Sequence, residues 1–127
     1  MTTLSEPNRL LAMGEKLREN PKTILLSIPV LGFGILWFEI NGNKYAQAGA
    51  YGHLGLVFRL YYKHHWQNKI FLKIAYRLLE NAMQGEGSST VKMVMGGISA
   101  ELGDKTQARL DYETGIKMAL NIKDAPQ

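Results

Sequence analysis

An uncharged stretch of sixteen residues, TILLSIPVLGFGILWF, runs from Thr23 to Phe38. As a helix rising ~1.5 Å per residue it would be about 24 Å long, and its flanks bring it close to the ~30 Å hydrocarbon core of a bilayer. Trp37 lies near one end, where an indole suits the membrane interface, and Lys22 precedes the other end. The stretch therefore predicts a transmembrane helix over residues 23–40, with Lys22 and Trp37 as lipid-interface residues near its two ends.

Two other interpretations of this region stay open. A buried helix of a soluble all-α domain is also apolar on every side, so the core of such a domain is the second interpretation of residues 23–40. Residues 45–62 would form a second membrane segment in a hairpin topology, but Gln47, His53 and Arg59 would each be costly in hydrocarbon. The single span is the preferred topology.

The charges around the apolar stretch predict its orientation. Residues 1–22 form a polar segment with a short amphipathic patch, in which Ser5 can cap a helix that has Pro7 in its first turn. Several basic residues precede the apolar stretch, whereas the twenty residues that follow it contain one basic residue, Lys44. By the positive-inside rule, the N-terminus faces the mitochondrial matrix or a bacterial cytoplasm. The predicted location is the mitochondrial inner membrane, with a bacterial inner membrane and a periplasmic domain as the alternative.

The composition limits the classes of protein that this chain represents. The chain has 127 residues, of which 46% are hydrophobic and 20% are charged. These values are typical of one folded domain of ordinary size and exclude wholesale disorder. The basic residues behind the net charge of +4 are interspersed with acidic residues, so no nucleic-acid partner is predicted. The absence of cysteine excludes disulfides and thiol catalysis.

The rest of the chain has helical periodicity. Apolar side chains recur at helical spacing in residues 68–83, and the QGEGSS segment breaks this helix. Ser88 or the serine after it can cap the next helix, Gly103 ends that helix, and Asp104 can cap the last one. Small residues concentrated between positions 46 and 55 predict the close approach of another helix. The fold class is therefore all-α.

The segment MGGISAELGDKTQARLDYETGI, from Met95 to Ile116, has small residues on both sides of a tight turn. Gly96 matches the glycine of the first-helix pattern W-x2-L-G-x2-Y, and Ala108 with Tyr112 matches the second-helix pattern of alanine followed by an aromatic residue. The small residues let the two helix axes approach, and the aromatic ring fills the space beside them. The segment thereby resembles the tetratricopeptide repeat (TPR) family, whose unit is a helix–turn–helix of ~34 residues.

The segment departs from the TPR pattern at two positions, and no proline closes the unit. Lys92 stands where the pattern has Trp, and Ser99 stands where it has Tyr. A looser upstream match combines Gly55 in a first helix with Ala75 in a second. Because repeat proteins need about three units to be stable alone, this chain would require a partner or the membrane segment to complete it.

The resemblance implies TPR-like antiparallel helical hairpins over residues 45–122, followed by a tail at 123–127. In the family, the first helix of each unit lines a concave groove that binds peptides. The corresponding partner-binding residues of this chain are Thr90, Met93, Gly97, Ala100 and Glu101. The predicted fold is therefore one transmembrane helix followed by TPR-like hairpins.

The sequence contains no clear arrangement of catalytic residues. His64 and His65 are adjacent, so on a helix they point about 100° apart and do not chelate one ion together. Trp66 after them is expected at a lipid interface. The acidic residues of the second half lie on separate helix faces or in turns, and QGEGSS lacks the lysine of a phosphate-binding loop. The sequence therefore predicts no enzyme activity, no cofactor and no metal site.

These features favour a non-catalytic accessory or assembly subunit of a larger membrane protein complex, of the mitochondrial respiratory-chain type. Its predicted partners are other protein subunits of that complex and the lipid bilayer. Two alternatives stay open: a membrane-anchored TPR adaptor that binds a soluble protein, and a soluble all-α regulatory domain.

Overall fold

The computed structural model describes residues 5–85 and 87–124, with side chains from 8 to 85 and from 87 to 121. Within these ranges the chain forms helices and no strand, which confirms the predicted all-α class. The helices of the described residues are α1 (Ser5–Glu19), α2 (Ile24–Ile40), α3 (Lys44–His64), α4 (Ile70–Gly85), α5 (Ser89–Glu101) and α6 (Lys105–Asp124). The expected cap at Ser5 depends on a side chain outside the described ones. Of the expected tail at 123–127, residues 125–127 lie outside the described residues.

The described helices belong to two compact units. α1 to α4 form the first unit, which ends at Glu86, and α5 with α6 forms the second, which begins at Gly87. The hairpin domain expected over residues 45–122 is therefore divided between the two units: α3 and α4 belong to the first, and α5 and α6 belong to the second.

Polar side chains cap the starts of α3 and α5, and a glycine forms part of the turn before α3. Gly42 adopts a φ of +69°, which a residue with a side chain rarely adopts. The next side chain, Asn43, accepts a hydrogen bond from the backbone N–H of Ala46 at 3.1 Å and so caps α3. Ser88 caps α5 in the same way, accepting from the N–H of Val91 at 3.3 Å.

The turn between α5 and α6 follows the sequence prediction. Gly103 adopts a φ of +88° directly after α5. The carboxylate of Asp104 then accepts a hydrogen bond from the backbone N–H of Gln107 at 3.0 Å. The helix end at Gly103 and the cap at Asp104 are therefore confirmed.

Helix α2 packs one side against α1 and α3. Leu31 of this side lies against Gly14 of α1, where an added Cβ would overlap the leucine side chain, and Phe38 packs on Ala46 and Ala50 of α3. The buried positions of α2 recur every three or four residues: Ile24, Ser27, Leu31, Gly34 and Phe38. The other side of the helix turns outward.

The prediction of a transmembrane helix over residues 23–40 needs correction. Helix α2 has 17 residues, and its inner side is covered by α1 and α3 of the same chain. Among the described residues, no helix combines the length and the apolar character that a bilayer crossing requires. The physical reason is that α2 stops at the Asn41–Asn43 turn, so the residues that would extend the span begin α3 instead.

Helices α3 and α4 approach each other closely at Gly55. A Cβ on Gly55 would lie 2.9 Å from Cδ2 of Leu79 and 3.2 Å from the carbonyl oxygen of Ala75. The second of these atoms belongs to the backbone, which cannot rotate aside as a side chain can. The close approach expected within the small-residue segment is therefore present.

Helices α5 and α6 form an antiparallel hairpin. A Cβ on Gly96 would lie 2.8 Å from Cδ1 of Tyr112, and a Cβ on Gly115 would lie 2.9 Å from Sδ of Met93. Ala108 is buried. The expected contact between a small residue of one helix and an aromatic ring of the other is thus present in the second unit.

Candidate functional site

Helix α2 carries an apolar surface on its outward side. At ~100° per residue, its exposed apolar positions fall within about one third of the helix circumference, opposite the buried residues. Six large side chains of this surface are each between 46% and 77% exposed: Leu25, Leu26, Phe33, Leu36, Trp37 and Ile40. We call these six residues the outward face of α2.

The outward face lacks the polar residues that normally cover a surface helix. None of its side chains is charged, and the indole of Trp37 supplies its one hydrogen-bonding group. The polar residues of α2 lie elsewhere: Ser27 is buried, and the Glu39 carboxylate accepts from Nε2 of Gln47 at 2.6 Å. Because large exposed apolar patches mark contact sites for proteins or membranes, the outward face is the main candidate site of the chain.

Two aromatic rings of the outward face are stacked. The ring centroids of Phe33 and Trp37, which are one helical turn apart, are separated by 6.0 Å with an interplanar angle of 14°. Stacking restricts the rotation of both side chains, so less entropy is lost when a binding partner covers them. The pair therefore forms a preorganised part of the surface.

The three predicted lipid-interface residues are all exposed. Trp37 belongs to the outward face, and Lys22 lies just before α2. Trp66 lies between α3 and α4, is 58% exposed and packs edge-on against Phe71 with ring centroids 5.3 Å apart. Each of the three is accessible for contact with another molecule.

The predicted partner-binding residues share one side of α5, opposite the buried Met95 and Ile98. Most of them are exposed, while Gly97 is half-buried and Met93 also approaches Gly115 of α6. The full set is Thr90, Met93, Gly97, Ala100 and Glu101. The structure thus brings these positions together on one surface of the second unit.

A partly buried polar pair joins α1 to α3, and the sequence pattern did not predict it. Nη1 of Arg18 donates to Nδ1 of His53 at 2.8 Å, while Nη2 lies 3.3 Å from the Glu19 carboxylate and 3.9 Å from that of Glu15. Because a guanidinium only donates, Nδ1 must accept, so His53 is neutral. Burial, followed by the positive charge of Arg18, lowers the pKa of His53, while Glu15 and Glu19 raise it less strongly.

A cavity of about 300 Å³ lies beside Arg18. Residues of α1, α2, α3 and the turns after α1 and α3 line it: Arg18, Glu19, Pro21, Ile24, Leu60, His64 and His65. Both adjacent histidines therefore reach the same cavity, which their spacing alone did not predict. Among the described residues, no group of three His, Asp or Glu side chains is placed to hold a metal ion.

A second buried polar cluster holds α5 to α6. The carboxylate of Asp111 accepts hydrogen bonds from Nε2 of Gln107 at 3.0 Å, from Oγ of Ser99 at 3.2 Å and from Nζ of Lys92 at 3.2 Å. Lys92 and Ser99 are the two positions that depart from the TPR pattern. Both side chains donate hydrogen bonds to the one buried carboxylate of Asp111. The position of Asp111, one turn after the inward-facing Ala108, is the sequence signal that identifies it as buried.

Comparison with known proteins adds no relative. No protein-family model, no curated protein and no solved structure matches this chain. The functional conclusion therefore depends on the surfaces of the chain itself.

Proposed function

We propose that the protein is a non-catalytic accessory subunit of a larger membrane protein complex. In this proposal the outward face of α2 holds the first unit at the membrane, and the second unit offers the exposed side of α5 to other protein subunits. The single observation that carries the proposal is the outward face, whose six large apolar side chains are about half exposed.

The expected energetics support a surface that acts together with other contacts. Full burial of a large apolar side chain contributes about 1.5–3 kcal/mol, and the side chains of the outward face are half exposed at the start. The whole face therefore contributes on the order of 5–9 kcal/mol. Association itself costs about 4–15 kcal/mol, so the outward face alone gives moderate affinity. Tight binding also needs the positive charges of the first unit or contacts made by the second unit.

The TPR-like character of α5 and α6 is part of the proposal. The contact between Gly96 and Tyr112 and the burial of Ala108 are features that the resemblance requires. One hairpin of this kind leaves flanks that a neighbouring repeat would cover in a longer array. Such a hairpin suits a subunit that its partner completes.

Cell fractionation and native sizing test this function. The tagged full chain is expressed in its host, the membranes are collected, and a mild-detergent extract is sized under native conditions. We expect the chain in the membrane fraction and in a particle much larger than the chain alone. In a host that has mitochondria, separation of the organelles tests the proposed mitochondrial inner-membrane location.

Paired serine variants provide the control. Phe33→Ser with Leu36→Ser removes two side chains from the outward face, and we expect this variant in the soluble fraction. Ile70→Ser with Ile74→Ser removes two exposed apolar side chains from α4 of the same unit and should leave the distribution unchanged. A wild-type chain in the soluble fraction, or equal release of both variants, contradicts the proposal.

A further inference from the structure

We propose that the outward face of α2 lies in the plane of one leaflet of an anionic lipid bilayer, with lipid as its direct occupant. This inference rests on the membrane association proposed above and adds which molecules cover the face. Helices α1 and α3, on the other side of α2, then lie toward the headgroups and water.

The chemistry of the face favours acyl chains over a protein surface. Protein–protein interfaces carry about one hydrogen bond per 100–200 Å², so both partners present polar groups in them. On the outward face, the indole of Trp37 supplies the one hydrogen-bonding side chain. Acyl chains need no hydrogen bonds, and an indole suits the boundary between chains and headgroups.

The distribution of charge favours an anionic surface over a second copy of the chain. The first unit contains ten Lys and Arg against six Asp and Glu, whereas the second unit contains five of each kind. The whole formal net charge of +4 therefore belongs to the unit that carries the outward face. Two copies that met face to face would bring two positive units together, while anionic headgroups attract each unit.

Two exposed lysines lie close in sequence to the ends of α2. Lys22 is exposed just before α2, and Lys44 is exposed at the start of α3, a short turn beyond the end of α2. Long lysine side chains reach headgroups while their carbon stems lie along apolar surface. Positive charge thus lies near both ends of α2, and at the C-terminal end Lys44 lines the same pocket as the Glu39 carboxylate.

The length of the face determines its orientation. Leu25 and Leu26 lie in the first turn of α2, Ile40 is its last residue, and all three are exposed. The side of α2 opposite them is packed against α1 and α3. An in-plane helix covers the whole outward face with lipid and keeps the polar residues of α1 and α3 out of the hydrocarbon.

Binding to protein-free vesicles tests the identity of the occupant. The purified full chain is mixed with vesicles of phosphatidylcholine alone and with vesicles of equimolar phosphatidylcholine and phosphatidylglycerol. We expect binding to the anionic vesicles that weakens when the ionic strength rises from ~0.1 M to ~1 M, where the Debye length falls from ~10 Å to ~3 Å. Phe33→Ser with Leu36→Ser should weaken binding at least about tenfold, and Ile70→Ser with Ile74→Ser should leave it unchanged.

The depth of single tryptophans tests the orientation. Leu26→Trp, Phe33→Trp and Ile40→Trp are each made in a chain that also carries Trp37→Phe and Trp66→Phe. An in-plane helix places all three indoles at one depth, so lipids brominated at a fixed acyl position should quench them equally. Stronger quenching at position 33 by deeply brominated lipid, with weaker quenching at both ends, indicates a crossing helix and overturns the proposal.

The remaining outcomes separate this inference from the proposed function. A chain that stays with native membranes but does not bind anionic vesicles has a protein on its outward face, which overturns the inference and retains the accessory-subunit function. A dimer in sedimentation experiments that Phe33→Ser with Leu36→Ser dissociates makes a second copy the occupant and overturns the inference as well. A chain that binds neither membranes nor vesicles overturns both.

Discussion

Lys92 and Asp111 pair across the two helices of the second unit, with Nζ of the lysine 3.2 Å from Oδ1 of the aspartate. The Asp111 side chain is 1% exposed, whereas that of Lys92 is 22% exposed. The lysine therefore neutralises a buried carboxylate while its ammonium stays close to water. Ser99 and Gln107 donate to the same carboxylate, so the hairpin is held by a polar network as well as by apolar packing.

Removal of the lysine should destabilise the second unit. Lys92→Met keeps the length of the side chain but leaves the Asp111 carboxylate without its cation. Loss of a charged hydrogen bond to a buried group costs about 1–3 kcal/mol. We expect the free energy of unfolding to fall by this amount in urea titrations followed by circular dichroism.

A lysine elsewhere on the same unit provides the control. Lys105 is exposed at the start of α6, so Lys105→Met removes the same charge without removing a buried contact. Its effect should stay within about 0.5 kcal/mol. Equal stability of the two variants would show that the Lys92 pair does not stabilise the hairpin.

Two glycines of the first unit should respond to alanine in opposite directions. A Cβ at Gly55 would meet Leu79 and the backbone oxygen of Ala75, while a Cβ at Gly32 has no neighbour within 4 Å. Gly55→Ala should lower the free energy of unfolding by about 1–3 kcal/mol because α3 and α4 must separate. Gly32→Ala should raise it by up to ~1 kcal/mol because alanine favours the helix. A stability increase in both variants would mean that the two helices do not approach closely.

Helix ends were predictable because they depend on residues within one turn. Gly103 and Asp104 end α5 and cap α6 through contacts three to five residues away, and Ser88 caps α5 through Val91. These residue types have the same preference in any fold. Local chemistry therefore locates the helices of the described chain with little information from tertiary structure.

The surroundings of α2 were not predictable from its own residues. The helix is apolar on every side, so no periodicity distinguishes the side that packs on α1 and α3 from the side that turns outward. Ser27 and Gly34 mark the inner side, but small residues also occur in membrane helices. The contact between Arg18 and His53 was not predictable either, because 35 positions separate the two residues and helical periodicity carries no information over that distance.

Loss of the cap at Asn43 should weaken the turn between α2 and α3. Asn43→Ala removes the side-chain oxygen that accepts from the N–H of Ala46 at 3.1 Å. Such substitutions cost about 1 kcal/mol, which a urea titration resolves. Asn43→Asp retains an acceptor and should lose much less stability. If the two variants were equally unstable, the contribution of Asn43 would come from its backbone conformation rather than from the cap.

The stability of the first unit should fall as the pH is lowered through the titration of His53. Nδ1 of His53 accepts from Arg18 at 2.8 Å, and a proton on this nitrogen would break the bond and face a positive charge. Burial and Arg18 lower the pKa of His53 from its ordinary value of 6.5, against the weaker effects of Glu15 and Glu19. Below pH 6.5 the unfolded chain therefore binds more protons at this position than the folded chain.

The sign of the pH dependence follows from this difference. The stabilisation from neutral His53 is complete above pH 6.5 and is lost progressively as the pH falls from 6.5 toward the lowered pKa of the folded state. Urea titrations between about pH 5 and pH 8 should show this slope in the wild-type chain. His53→Gln keeps an acceptor for Arg18 but does not titrate, so the slope should be smaller, while His64→Gln at the exposed end of α3 should retain it. A wild-type slope in His53→Gln would mean that another group causes the loss of stability in acid.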